Sequence, residues 1–137
     1  MVEEIEELEI IGEDEPPVQT KETYLKENGV DLDKSLELLG DIEMYNMTLN
    51  DFLSEVEDKW NNIVTYKNNS DMENYAIEVH SLKSDAKYLG FMSLADISYQ
   101  HELKSKENDI NFILEHFNDL EAEYNKALAI AKTYNKM

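Results

Sequence analysis

From Asp41 onward, apolar side chains return every three or four residues with almost nothing to interrupt them. Ile42, Tyr45, Leu49, Phe52, Leu53, Val56, Trp60, Ile63 and Val64 mark one face of a long helix that should end near Lys67-Asn68-Asn69-Ser70. Two prolines and four glycines in 137 residues leave few breaks. The period is helical rather than alternating throughout, which excludes a sheet-based core.

The same signals divide the rest of the chain. A short helix is expected over about 20–28 and another over about 32–39, closed by Gly40 as a C-terminal cap. Ser70 followed by Glu73 reads as a capping box for a helix whose buried stripe is Met72, Ala76, Val79, Leu82, Ala86 and Leu89, ending at Gly90. Ser93 with Asp96 is expected to cap a third long helix that turns Leu94, Ile97 and Ser98 inward. The last begins after Asn108 and buries Ile110, Ile113, Leu114, Phe117, Leu120, Tyr124, Ala127, Ala131 and Tyr134. Four long amphipathic helices with short connections predict an all-α fold, an antiparallel up-and-down four-helix bundle with one or two short helices at its N-terminus.

Charge narrows the setting. The formal net charge is -19, every basic residue is a lysine, and arginine is absent. Such a surface is repelled by phosphate backbones and by anionic lipid, so no nucleic-acid partner is expected. Part of the charge lies in residues 1–19, where eight acidic residues and no lysine precede and flank Pro16-Pro17; this stretch reads as an acidic linker or tail, leaving 20–137 as the domain. No cysteine is present, and no apolar run approaches the roughly 20 residues of a membrane span, so a cytoplasmic protein without membrane insertion is expected.

The segment from 78 to 90, Glu-Val-His-Ser-Leu-Lys-Ser-Asp-Ala-Lys-Tyr-Leu-Gly, gathers an imidazole and two ammonium groups in this acidic chain. His80 lies about 100° around the helix from Val79, beside the buried stripe rather than in it. The following turn is centred near Phe91, and His80 and Glu102 both lie 11 residues from that point. On two antiparallel helices rising about 1.5 Å per residue, the pair should stand at equal height. A carboxylate accepting from Nδ1 fixes the tautomer that leaves Nε2 free as a nucleophile. Lys83 and Lys87, at i+3 and i+7 and taken as exposed, are placed to offer positive charge to a dianion on Nε2.

These residues resemble the signature of histidine phosphotransfer (HPt) domains, which runs His-x-Leu-Lys-Gly, five variable positions, then Gly. His80, Leu82, Lys83 and Gly90 match it, and Ser84 stands where glycine is usual. The stretches Gly29–Phe52 and Ser93–Asp109 are similar to the flanking helices, and Glu102 falls where the family often has Glu or Gln, so the resemblance covers about 110 residues. It implies a phosphocarrier of two-component signal transduction: His80 as the phosphoacceptor, with Lys83, Glu102 and Lys87 assisting and Ser84 and Gly90 allowing close docking. The implied partners are a response regulator receiver domain and a histidine kinase or hybrid sensor kinase. The sequence has no glycine-rich nucleotide loop, so no cofactor of its own is expected, and Mg²⁺ belongs to the partner receiver or kinase.

Blander readings stand beside this one. Taken alone, an exposed histidine near two lysines describes a solvated helix face. His101 falls on the stripe of Leu94, Ile97 and Ser98 and reads as a core or boundary histidine, while His116 reads as surface. A metal site from His80, His101 and Glu102 is disfavoured because residues 101 and 102 point about 100° apart. A binding-only module, docking a receiver or other helical partner without carrying phosphate, is the alternative function; a helical dimerisation domain is a third.

Overall fold

A computed structural model describes residues 17–137 and is all-helical over them. Six helices follow in order: α1 (Pro17–Glu27), α2 (Leu32–Leu39), α3 (Ile42–Asn68), α4 (Met72–Leu89), α5 (Met92–Lys106) and α6 (Ile110–Lys136). The stretch read as an acidic tail lies outside the described residues except for its last three positions, which α1 takes up. Pro17 suits the first helical position, where a missing N–H costs nothing and the fixed φ is already helical.

Local chemistry sets the boundaries. Asp31, Asp41, Asp71 and Asp109 each accept a hydrogen bond from the backbone N–H three residues on, at 3.2, 2.9, 3.2 and 3.1 Å, and so cap α2, α3, α4 and α6. Two expected caps are corrected. Ser70 has φ 55 and closes the preceding turn in the left-handed region, so Asp71 rather than Ser70 starts α4. No Ser93–Asp96 box forms, because α5 already begins at Met92 behind Phe91, which has no side-chain cap. Phe91 instead plugs the core beside Phe52, ring centroids 6.3 Å apart.

The four long helices pack as neighbours α3–α4, α4–α5, α5–α6 and α6–α3, while α2 lies on α3 and α4 and α1 on α6 and α2. Between them lies one continuous apolar core. Two buried tyrosine tips are tied off: the Tyr45 hydroxyl donates to the Leu89 carbonyl at 2.7 Å, and the Tyr134 hydroxyl donates to Asn46 Oδ1 at 2.5 Å. Trp60 of α3 lies flat on Tyr124 of α6, centroids 4.1 Å apart and planes 3° off parallel, and also stacks on Phe117 at 5.4 Å. Leu114, expected inside, is 56% exposed, because the α6 stripe runs through Ile113, Phe117, Leu120 and Tyr124 and leaves Leu114 one step around. Tyr75, absent from the expected stripe, is fully buried; with Val79, Leu82, Ala86 and Leu89 it completes an alternating three-and-four spacing.

The α4–α5 hairpin depends on Gly90. Its φ is 85, and a Cβ there would meet Asp31 O at 2.8 Å, Val30 Cγ1 at 2.8 Å and Ser35 Oγ at 2.9 Å. Its carbonyl also accepts from the Asp31 N–H at 3.0 Å, which fastens the start of α2 to the turn. Gly90→Ala combines a left-handed backbone with steric conflict and should cost about 2–4 kcal/mol. Thermal melting should show a midpoint at least about 5 °C lower; an unchanged midpoint would mean the loop before α2 is not held against the hairpin.

Candidate functional site

Glu102 is the centre of the cluster on the α4–α5 face. It is a carboxylate only 4% exposed, and three donors converge on it. His80 Nδ1 lies 2.9 Å from Oε2, Lys83 Nζ is 2.8 Å from Oε1, and Lys106 Nζ is 2.9 Å from Oε2. Burial alone would push the Glu102 carboxyl up; hydrogen bonds from Lys83, Lys106 and His80, with the charge of Lys83, outweigh it and hold the carboxyl down at about 2. Glu102 is therefore ionised and can only accept, so Nδ1 of His80 carries the proton and a neutral His80 ring presents the Nε2 lone pair. That ring is 56% exposed.

The equal-height count from the hairpin turn thus corresponds to a direct contact. Lys83 is not the exposed residue expected from sequence: its side chain is 18% exposed, with the ammonium on Glu102 and 4.9 Å above the Tyr99 ring. Lys87 is exposed one turn further on and does not join the cluster. Its place beside Glu102 is taken by Lys106, 61% exposed, which sequence reading passed over. The signal was present, since Lys106 lies four residues after Glu102 and shares its helix face. Ser84 is half-buried on α4 near the cluster. Gly90, expected to leave room for a partner, is buried against Val30, Asp31 and Ser35 of its own chain, so that room is already filled.

A groove of about 680 Å³ runs beside His80, with Met72, Ala76 and Ile77 as its apolar wall and Lys106 and Ser105 opposite. Ile77 is 62% exposed along it. The groove gives the imidazole an apolar flank from α4 and the Lys106 ammonium from α5.

His101, adjacent to Glu102, points about 100° around α5 from it and is fully buried. Its Nε2–H donates to the His116 carbonyl at 3.2 Å, which leaves Nδ1 to accept from the Tyr75 hydroxyl at 2.8 Å. Burial lowers the His101 pKa to about 4, against the smaller upward pull of the His116 carbonyl. The ligand set His80, His101 and Glu102 therefore does not assemble. Among the described residues no three His, Asp or Glu side chains are grouped to hold a metal ion, and no helix is long and apolar enough to cross a membrane. His116 is 40% exposed and pairs with Asp119 at 3.2 Å.

Comparison with protein-family models, with curated proteins and with solved structures gave no match to this chain.

Two groups set the response to acid. Unfolded, the His101 imidazole binds a proton near 6.5, but folded it resists until about 4; its contribution is complete above 6.5 and is lost as pH falls toward 4. Glu102 contributes fully above about 4.5 and loses its contribution as pH falls toward 2. The His101 contribution is about 3 kcal/mol at its limit. Denaturant unfolding from pH 7.5 to 4.5 should show falling stability in the parent and a flatter profile in His101→Gln, while Glu102→Gln should keep the slope in that window. Parallel profiles for parent and His101→Gln would show that His101 takes up no proton on unfolding.

Proposed function

We propose that this protein is a histidine phosphotransfer domain, a phosphocarrier in a His-Asp relay, with α3 to α6 arranged as an antiparallel up-and-down four-helix bundle. The observation that carries the reading is the His80–Glu102 contact: an exposed imidazole whose Nδ1–H is fixed by a buried carboxylate, itself held by two lysines. A hydrogen-bonded helix face with no such task does not need a carboxylate buried and triply bonded next to a solvent-facing ring.

In this reading the Nε2 lone pair attacks the phosphorus of an aspartyl phosphate on a receiver domain. The bond from phosphorus to the aspartate oxygen breaks, and the carboxylate leaves. Nδ1 keeps its proton, so the phosphorylated ring is cationic, and Glu102 faces that charge. Onward transfer reverses the step: a second receiver's aspartate attacks phosphorus and the N–P bond breaks. A histidine kinase can supply the same group from its bound ATP. The chain's own contribution is orientation and charge: Lys106 lines the groove beside His80, Lys83 is paired with Glu102, and the Met72–Ala76–Ile77 wall is an apolar landing for the receiver. Mg²⁺ is supplied by the partner, the setting is the cytoplasm, and the domain is residues 20–137.

Phosphorylated receiver domains, incubated with the full chain, should leave an acid-labile, base-stable label on His80 alone, located by mass spectrometry. His80→Gln should abolish it. Label on His101 or His116, or none from any donor, would defeat the assignment and leave a docking module without phosphate.

The lysines give a second expectation. Lys83→Ala and Lys106→Ala should each slow transfer by roughly tenfold. They should differ in stability, because Lys83→Ala strips the buried Oε1 of its donor and costs about 1–3 kcal/mol, whereas exposed Lys106→Ala stays within about 0.5 kcal/mol. Rapid-quench transfer assays and melting curves of the two variants check both parts; equal rates in parent and variants would reduce the lysines to supports for Glu102.

A further inference from the structure

The Glu102 cluster grips α4 along one edge only, and the opposite edge is held by a group that the transfer chemistry does not use. Lys59 of α3 reaches across to α4, where its Nζ donates to Ser81 Oγ at 2.6 Å and to Asp85 Oδ2 at 2.7 Å. The Lys59 side chain is 14% exposed and that of Asp85 is 35% exposed. Ser81 immediately follows His80, and Asp85 lies one turn beyond it on the same strip.

At about 100° per residue, Ser81 and Asp85 lie roughly 100–140° around α4 from His80 in one sense, and Lys83 lies roughly 60° in the other. The exposed arc that carries the imidazole is therefore bounded by a polar grip on each side: Glu102 from α5 and Lys59 from α3. Apolar packing beneath that arc, through Val79, Leu82 and Ala86, resists separation of the helices but resists small rotations about the α4 axis less strongly, because dispersion contacts are non-directional. Hydrogen bonds from an ammonium to a carboxylate and a hydroxyl are directional and short. A partly buried ion pair adds little net stability over an apolar isostere, so its distinctive effect is on geometry.

We propose that Lys59 is a positioning residue for phosphotransfer: through Ser81 and Asp85 it fixes the rotation of α4 about its own axis, and with it the direction in which His80 Nε2 is presented to a docked protein. The inference rests on the phosphocarrier reading. It separates two kinds of reaction partner. A receiver domain is rigid and needs Nε2 aimed into its aspartate pocket, while a small diffusing donor such as phosphoramidate adapts to any exposed direction.

The test compares the full chain with Lys59→Met, which keeps length and apolar bulk, and Lys59→Arg, which restores the donor. Phosphoramidate should label His80 at rates within about twofold in all three proteins. Transfer from His80 to a receiver that accepts it from the parent, measured well below every melting midpoint, should lose about tenfold in kcat in Lys59→Met with KM unchanged, and Lys59→Arg should recover most of it. Asp85→Asn, which keeps an oxygen acceptor but not the charge, should fall between.

Unchanged kcat with a lowered melting midpoint would make Lys59 a structural tie and overturn the proposal. Raised KM with intact kcat would make it part of the docking surface, which also overturns it. A parent that phosphoramidate does not label on His80 would remove the phosphocarrier reading itself, and the inference with it.

Discussion

A carboxylate buried between two helices is expensive unless both of its oxygens find donors, and Glu102 is ionised in just such a place. Three cationic or N–H donors from two helices meet on its two oxygens, which turns an expensive group into a fixed point. The imidazole tautomer, the conformation of Lys83 and the alignment of α4 with α5 all depend on it. Apolar packing accounts for the existence of the hairpin; Glu102 accounts for the chemistry on its surface. The chain as a whole has a formal net charge of -19 and only 12 lysines, and two of these are committed to Glu102.

Much of the fold was legible because it rests on periodicity. The helices over 32–39, 42–68 and 72–89 follow from apolar spacing, a glycine stop and a capping residue, signals confined to a few neighbouring positions. The pairing of His80 with Glu102 was legible for a related reason: two helices joined by a tight turn have their register set by counting. What could not be counted was lost. Asp71 displaced Ser70 as a cap because the turn before it needed a left-handed residue, and that demand comes from how α3 meets α4. The role of Gly90 was read as space for a partner, but the space is consumed by the loop before α2, a contact between residues sixty apart.

The site shows the same division. Lys106 was recoverable from its spacing to Glu102, but Lys59 was not, because nothing local in α3 indicates which residue of α4 it meets. The burial of Lys83 and the Tyr75–His101–His116 chain are likewise products of three-helix packing. Consecutive residues 101 and 102 illustrate why residue type alone is a poor guide. Burial keeps the first uncharged, and the second stays charged despite burial because donors were brought to it.

Trp60 is the only tryptophan in the chain, and it stacks on Phe117 and Tyr124 at the α3–α6 seam, one residue after Lys59. Its indole emission is therefore a native optical gauge of that seam, on the side of the fold away from the α4–α5 hairpin. Intensity and wavelength will follow the separation of α3 from α6 and stay largely blind to events confined to the imidazole. Any optical change that followed binding at the imidazole face would have travelled through the helices that pack on the hairpin, α3 against α4 and α6 against α5, and so would report motion of the scaffold rather than occupancy of the surface.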